Sequence, residues 1–131
     1  TLAKLKKGMK VYDLGSGDGR LLVLAAKQGA KAVGFEINPF LVLFCEIRFL
    51  FHPLRSKIRT QWKNFWYANI HDADVVFLYL IPWRMENLAA YLKKHLKPGA
   101  LVVSNSFIFP NWRIIRQDTK NHVYVFRIDS R

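Results

Sequence analysis

The feature of this sequence that most constrains its fold is a short apolar strand that leads directly into a glycine-rich loop. Residues 10–20 read KVYDLGSGDGR, with glycines at Gly15, Gly17 and Gly19. The residues before the loop favour β structure, and the leucines and alanines after it recur at helical spacing. Glycine lacks a Cβ, so backbone N–H groups in such a loop can approach a ligand closely. The segment predicts a nucleotide-type site at the carboxyl edge of a parallel sheet.

The glycine spacing separates the possible ligands. A dinucleotide-binding loop follows the pattern GxGxxG, which would place the third glycine at position 20, where this chain has Arg20. Gly19 is the third glycine instead, so the loop departs from the NAD pattern. A GxGxG spacing alone also fits a glycine turn that binds nothing. The full string DLGSGDGR, placed between a strand and a helix, is the more specific signal.

A carboxylate stands at the end of the second predicted strand. Residues 31–39 read KAVGFEINP, and Glu36 ends the apolar run. An acidic residue at this place can accept hydrogen bonds from both ribose hydroxyls of an adenosine. The alternative is a solvated carboxylate at a strand end. Asn38 and Pro39 then lead the chain into the next helix.

Strand and helix patterns alternate along the chain. The patterns predict strands at 10–14, 31–36, 57–63, 75–80, 100–104, 112–118 and 122–129, and helices at 19–28, 39–51 and 83–96. The continuous apolar run VVFLYL at 75–80 is typical of a central parallel strand. We expect an α/β fold: a Rossmann-like, doubly wound, mostly parallel sheet with helices on both faces and a C-terminal antiparallel β-hairpin. The length predicts a single domain spanning residues 1–131.

The second predicted helix is apolar on nearly all sides. Residues 40–51 read FLVLFCEIRFLF, interrupted only by Glu46 and Arg48. The segment is too short and too charged to span a bilayer. We therefore expect this helix to pack against both the sheet and a neighbouring segment. The alternative is that it presents an apolar face to a membrane or a partner.

The chain is strongly basic. Its 21 Lys and Arg residues exceed its 9 Asp and Glu residues, for a net charge of +12. Such a surface attracts polyanions, among them RNA, anionic lipid headgroups and acidic protein faces. The basic residues are scattered rather than clustered, so a generally solvated positive surface fits the pattern equally well.

The cysteine and histidine content bears on the cellular compartment and on metal binding. Cys45 is the single cysteine, which excludes an intrachain disulfide and suits a reducing compartment. We expect a cytoplasmic location, with a peripheral position on a membrane as the alternative. The histidines are far apart and form no cluster with metal-ligand spacing, so we expect no metal. The sequence begins at Thr1 without a methionine, so we expect that an upstream segment exists.

Two further loops are predicted at the carboxyl edge of the sheet. After the third strand, Asn64 could hydrogen-bond a base edge and Phe65 could pack beside its ring, although plain aromatic packing fits equally well. After the fourth strand, Tyr79 could present its hydroxyl to the reacting groups, and Pro82 would fix the loop. Tyr79 could equally be a core residue. The segment 104–112 could roof an acceptor channel or pack on the sheet edge.

Several strings together carry a family resemblance: DLGSGDGR, GFEINP, ADVVFLYLIP, LKPGALVVSNSF and FPNW. The first resembles motif I of the class I S-adenosylmethionine-dependent methyltransferases. The combination resembles the protein lysine methyltransferases that act on the ATP synthase c subunit and the adenine nucleotide translocase, with their short prokaryotic relatives. The similarity extends over nearly the whole chain.

This resemblance implies S-adenosylmethionine as the cofactor and S-adenosylhomocysteine as the product. The cofactor-binding residues that we predict are Asp13, Gly15, Ser16, Gly17, Asp18, Gly19, Glu36, Ile37, Asn38, Asn64, Phe65 and Tyr79, and the catalytic residues are Tyr79 and Pro82. Two departures from the family are visible. Asn64 stands where we would expect an acid beside the adenine, and the hydrophobic N-terminal segment of the eukaryotic members is absent from the sequence.

The implied reaction is an in-line attack of a neutral lysine amine on a sulfonium methyl group. The partner would be a protein with an accessible lysine, with a membrane-associated substrate as one alternative. Three other classes use the same cofactor residues: an RNA methyltransferase, which the net charge favours, a small-molecule methyltransferase, and a non-catalytic binding module.

Overall fold

A computed structural model describes residues 4–15, 19–79, 85–106 and 108–129, with the backbone alone described at Tyr79 and Met85. Seven strands form one sheet: β1 Lys10–Leu14, β2 Lys31–Glu36, β3 Ile58–Trp62, β4 Val75–Tyr79, β5 Leu101–Asn105, β6 Ile114–Asp118 and β7 Val123–Arg127. Three α-helices accompany it: α1 Arg20–Lys27, α2 Pro39–Phe49 and α3 Met85–His95.

The sheet is mixed, in the order β3-β2-β1-β4-β5-β7-β6. Strands β1 to β5 pair in parallel, whereas β7 runs antiparallel to both β5 and β6. The order reverses between β1 and β4, which is the place where ligands bind in open α/β sheets. The predicted Rossmann-like sheet with a C-terminal antiparallel hairpin is therefore confirmed.

Alternation along the strands divides the core into two layers, because successive side chains point to opposite faces of a sheet. On one face, Val11 packs with residues of α1 and α2, including Leu22, Cys45 and Phe49. On the other face, Tyr12 and Leu14 pack with the leucines of α3, which are Leu88, Leu92 and Leu96. Each fully buried side chain of this size contributes about 1.5–3 kcal/mol. The two layers together place helices on both faces of the sheet, as predicted.

The predicted elements agree with the structure to within about two residues at most of their ends. Two short 3₁₀ turns, Arg55–Lys57 and Phe65–Tyr67, were not predicted. Each has only three residues, which is too short to show a hydrophobic period in the sequence. The second turn lies in the connection between β3 and β4. That connection contains no α-helix, so none of the helices in the described ranges lies over the α3-side face of β2 and β3.

Helix α2 presents an apolar surface to solvent. Cys45 and Phe49 are buried against the sheet, as expected of a crossover helix. The opposite side carries Phe40, Leu43, Phe44 and Ile47, which are between 51% and 80% exposed. These positions recur at i, i+3, i+4 and i+7, so they form one continuous stripe. Within the described ranges no segment covers this stripe, so the choice between a covered helix and an apolar face for a membrane or a partner stays a prediction.

None of the helices in the described ranges combines the length and apolar character that a bilayer crossing requires. The same ranges contain no group of three or more His, Cys, Asp or Glu side chains that could hold a metal ion.

Candidate active site

The predicted cofactor residues of β1 and β2 meet at the carboxyl edge of the sheet. These strands pair in parallel with Asp13 opposite Gly34 and Leu14 opposite Phe35. Glu36 follows Phe35, and the glycine loop follows Leu14, so Asp13 and Glu36 lie near the carboxyl edge on neighbouring strands, β1 and β2. The sequence alone could order these residues along the chain, whereas the register brings them together.

Asp13 is a buried carboxylate with an unsatisfied oxygen. Its side chain is 1% exposed, and its Oδ1 atom has no hydrogen-bond partner within the described part of the chain. Burial, with a smaller contribution from the charge of Glu36, raises the pKa of Asp13 to about 7. A buried anion without a partner is costly. A hydrogen-bond donor or a cation placed beside Asp13 would therefore be strongly favoured.

Gly15 begins the loop with a conformation that only glycine adopts easily. Its φ is +131°, and among the described residues, its chain neighbours aside, no heavy atom lies within 4 Å of a Cβ built at this position. The backbone thus faces open space beside Asp13, as a ligand-binding loop requires. The predictions for Ser16, Gly17 and Asp18 fall outside the described residues.

Gly19 has a packing role that the sequence did not reveal. It is buried with φ +81°, and a Cβ there would come within 2.7 Å of the Phe49 ring and 3.2 Å of Cys45 Sγ. The missing side chain lets α2 lie against the start of α1. Its predicted contact with the cofactor stays a prediction.

Glu36 is held by the start of α2. The Asn38 backbone N–H donates to Glu36 Oε2 at 3.0 Å, and the Asn38 side chain accepts from the Phe40 N–H at 2.9 Å. Asn38 therefore caps α2 while its backbone orients the carboxylate. Ile37 is 66% exposed, and its carbonyl accepts a hydrogen bond from Trp62 Nε1 at 2.9 Å. These contacts fix the loop that would face a nucleoside.

Asn64 and Phe65 have structural roles in the loop after β3. Asn64 Oδ1 accepts from the Trp66 backbone N–H at 3.0 Å and so caps the 3₁₀ turn. The Phe65 ring lies 4.7 Å from that of Trp66 and 6.2 Å from that of Tyr91, centroid to centroid. The Tyr91 hydroxyl hydrogen-bonds to the Phe65 carbonyl at 2.7 Å. Aromatic packing therefore accounts for Phe65, and contacts of both residues with a base stay predictions.

The predicted acceptor side of the site lies only partly within the described residues. Tyr79 ends β4 directly beside Asn105, the last residue of β5. Asn105 Oδ1 accepts from the Ser106 hydroxyl at 2.6 Å. The predicted roles of the Tyr79 side chain and of Pro82 lie outside the described residues. Asn105 was not among the predicted site residues, although a polar residue at the carboxyl end of a parallel strand is a usable signal.

The aromatic segment after β5 belongs to the core. Phe109 is fully buried and stacks on Trp112 with ring centroids 4.3 Å apart. Both rings also meet Phe126 edge-on. These contacts support packing on the sheet rather than a channel roof for these two residues.

Three features of this edge fit a nucleoside that carries a cationic amino-acid group. Asp13 offers a buried anion that lacks a partner on Oδ1. Gly15 leaves open space beside exposed backbone, and Glu36 offers a carboxylate at the strand tip where ribose hydroxyls bind in this class of sheet.

Comparison with known sequences places these residues in a family context. The family model described as the ANTKMT methyltransferase domain matches residues 13–116. The Homo sapiens lysine N-methyltransferase of the ATP synthase c subunit is 31% identical over 129 residues, covering 98% of this chain and 52% of the relative. The protein-lysine N-methyltransferase of Saccharolobus islandicus is 36% identical over 113 residues, covering 85% of this chain and 70% of the relative.

The fold also matches solved structures. An RNA methyltransferase from Salinibacter ruber in complex with S-adenosyl-L-homocysteine superposes with a TM-score of 0.92 at 33% identity, covering 99% of this chain and 87% of that one. The chain spans about half the length of the vertebrate ATP synthase lysine N-methyltransferases that it matches.

Proposed function

Because the chain belongs to the ANTKMT methyltransferase family, we propose that it binds S-adenosylmethionine and transfers the methyl group to the side-chain amine of a protein lysine. One observation carries the cofactor assignment: the buried Asp13 carboxylate with an unpartnered oxygen at the head of the glycine loop. S-Adenosylmethionine carries an ammonium and a sulfonium group, which are cations that such an anion would attract.

Different described residues would bind the amino-acid end, the ribose and the base of S-adenosylmethionine. Asp13 and the backbone at Gly15 would hold the amino-acid end, and Glu36 would accept hydrogen bonds from the ribose hydroxyls. Ile37, exposed beside Glu36, would pack against the base. Because the pKa of Asp13 is raised to about 7, its ionised form grows between pH 6 and 8, and a cationic ligand should bind more tightly across that range.

Once bound, S-adenosylmethionine supplies an electrophilic methyl group, so the protein mainly positions and desolvates the amine. A lysine amine must first lose its proton, since its unperturbed pKa is about 10.4. An apolar entrance lowers that pKa by desolvation. We assign the acceptor side to the ends of β4 and β5, where Tyr79 and Asn105 lie side by side. Tyr79 and Pro82 stay the proposed catalytic residues.

The acceptor class rests on the two curated lysine methyltransferases described above. The relative from Saccharolobus islandicus is the more informative, because this chain covers 70% of its length. A second candidate acceptor is RNA, since the similar structure from Salinibacter ruber is described as an RNA methyltransferase. The net charge of +12 suits either an acidic protein or a nucleic acid.

Calorimetric titration tests the cofactor site. We expect S-adenosylmethionine and S-adenosylhomocysteine to bind and NAD not to bind. Glu36→Gln should weaken binding by about tenfold to hundredfold, because hydrogen bonds to a charged group contribute roughly 1.5–3 kcal/mol. Glu86→Gln, an exposed carboxylate in the first turn of α3, is the matched control and should leave the affinity unchanged. Equal affinity in the wild type and Glu36→Gln would remove the ribose assignment.

Labelled methyl transfer into a cell extract tests the acceptor class. The extract is incubated with the protein and cofactor carrying a labelled methyl group, then treated with protease or with ribonuclease. Lysine methylation predicts that the macromolecular label is lost to protease and kept after ribonuclease, and that acid hydrolysis yields methyllysine. Label that survives protease and disappears with ribonuclease would show that RNA is the acceptor instead.

A further inference from the structure

A groove of about 710 Å³ lies on the α3-side face of β1, β2 and β3. It exists because the connection from β3 to β4 supplies only a 3₁₀ turn, so no helix that the structure describes covers this part of the sheet. It follows the strands away from the carboxyl edge, as far as their amino ends. The groove is thus largely separate from the proposed methyl-transfer site.

Six cationic residues line this groove. Lys10 and Lys31 stand opposite each other at the start of β1 and β2, and Lys57 directly precedes Ile58, the first residue of β3. Neighbouring strands are about 4.8 Å apart, so three lysines begin three adjacent strands, an arrangement in which like charges repel. The six are Lys10, Lys31, Arg55, Lys57, Arg59 and Lys63. No acidic residue is among the described residues that line the groove.

Three carboxylates contact residues of the groove, and each of them already has a hydrogen-bond or ion-pair partner. Asp74 accepts from Lys97 Nζ at 2.8 Å and from the Lys10 backbone N–H at 2.8 Å. Asp72 accepts from the Tyr12 hydroxyl at 2.6 Å. Glu46 pairs with Nη2 of Arg55, and Nη1 of the same Arg55 is buried without a hydrogen-bond partner among the residues that the structure describes. The cations of the groove therefore outnumber the carboxylates within reach of them.

The floor of the groove offers little apolar contact surface, because most of the exposed lining is polar. Tyr12, Val33 and Phe35 form it, and they are only 7%, 6% and 3% exposed. The accessible groups are the cations and the polar side chains of Ser56, Gln61 and Asn69. Interfaces between proteins usually have an apolar centre, whereas interfaces with nucleic acid are more polar and much more positive. The chemistry of the groove thus favours a phosphate chain over an acidic protein segment.

We propose that this groove binds the phosphodiester backbone of a single-stranded nucleic acid. Three strands span only about 10 Å, so the lysine row can contact only a short run of phosphates along one strand. The phosphates would lie across the lysine row and neutralise its repulsion. The proposal does not depend on the methyl-transfer reaction, and the bound strand need not be the methyl acceptor.

Fluorescence anisotropy with a labelled twelve-nucleotide oligouridylate tests this site at salt concentrations from 50 to 200 mM. The groove variant is Lys31→Gln/Lys57→Gln/Arg59→Gln. The control variant is Lys27→Gln/Lys94→Gln/Lys120→Gln, whose three lysines are exposed and outside the groove. Both variants lose three charges, so bulk electrostatics change equally. We expect at least tenfold weaker binding in the groove variant and less than threefold in the control.

The salt dependence gives a second measurement. For single strands, log K falls with log salt with a slope of about −0.7 per phosphate neutralised, so the groove variant should lose about two units of slope. An oligothymidylate of equal length shows whether RNA and DNA are both accepted. An equal loss of binding affinity in the groove variant and the control variant would overturn the proposal. So would a polyglutamate of the same charge that competes as tightly through the same three residues, since the site would then be one for acidic protein.

Discussion

Asp13 combines burial, an unpaired oxygen and a raised pKa, which makes its charge a cost to the folded protein. The folded-state pKa is about 7 against an ordinary value of 3.8. Between these values the folded state holds a proton that the unfolded state has released, so raising the pH across this window destabilises the fold. Below pH 4 both states are protonated and the cost is absent.

The substitution Asp13→Asn, measured in the ligand-free protein, tests this cost of the buried charge. The amide cannot ionise, so the variant should escape the loss of stability that the wild type suffers between about pH 4 and pH 8. We expect the free energy of unfolding of the variant, relative to wild type, to rise by up to ~4 kcal/mol over that range. Urea unfolding at pH 4, 6 and 8 measures it. If the difference in unfolding free energy between the variant and wild type did not change with pH, the pKa of Asp13 in the folded protein would be close to its ordinary value.

At the scale of elements, the contact between α1 and α2 depends on the missing side chain of Gly19. Gly19→Ala would add a Cβ 2.7 Å from the Phe49 ring, on a backbone with φ +81°. Gly99→Ala is the matched control, because its φ is +90° and nothing lies within 4 Å of its Cβ. The control should lose about 1 kcal/mol from backbone strain alone, and Gly19→Ala about 1–3 kcal/mol more from overpacking. Urea unfolding measures both losses of stability. Equal losses in Gly19→Ala and Gly99→Ala would show that α2 moves aside for the added methyl group without an energetic cost.

Helix α2 gives a second prediction at this scale. Phe40→Gln, Phe44→Gln and Ile47→Gln replace side chains that face solvent, so each should change the free energy of unfolding by less than about 0.5 kcal/mol. Phe49→Ala, on the buried side, should cost about 3–5 kcal/mol. Chemical denaturation of the four variants measures these changes in the free energy of unfolding. Losses above 1.5 kcal/mol in the Gln variants would mean that another part of the molecule covers the stripe.

At the scale of the whole molecule, the positive charge is unevenly distributed. Residues 1–63 hold 12 of the 21 Lys and Arg but only 4 of the 9 Asp and Glu, which gives that part +8 of the total +12. This half includes the basic groove and β3, which lies at the edge of the sheet. Repulsion between these charges opposes the compact state.

Screening of this repulsion should therefore stabilise the protein. We expect the free energy of unfolding to rise by on the order of 1 kcal/mol between 20 and 300 mM NaCl, because the Debye length falls well below the size of the domain. The control variant Lys27→Gln/Lys94→Gln/Lys120→Gln, with a lower net charge, should show a smaller rise. A fall in the urea midpoint with added salt would mean that attractive ion pairs outweigh the repulsion.

Local patterns in the sequence were sufficient for the secondary structure and for placing Asp13 and Glu36 near the carboxyl ends of β1 and β2. The strand before the glycine loop, the strand that ends at Glu36 and the apolar run at 75–79 each carry a signal within a few residues. The same patterns gave no access to the packing of Gly19 against Phe49, or to the use of Asn64 as a cap. Those roles depend on contacts that form only after the chain has folded.

By itself, the sequence determined the alternation of strands and helices, the order of the glycine loop and Glu36 along the chain, and the family to which they belong. The tertiary structure alone decided that Asp13 is buried without a partner on one oxygen, that one side of α2 is left bare, and that the lysines of three strands share one groove. The physical reason is that a hydrophobic period is local, whereas burial and charge proximity depend on strand register. Residues 10, 31 and 57 become neighbours only when β1, β2 and β3 pair side by side.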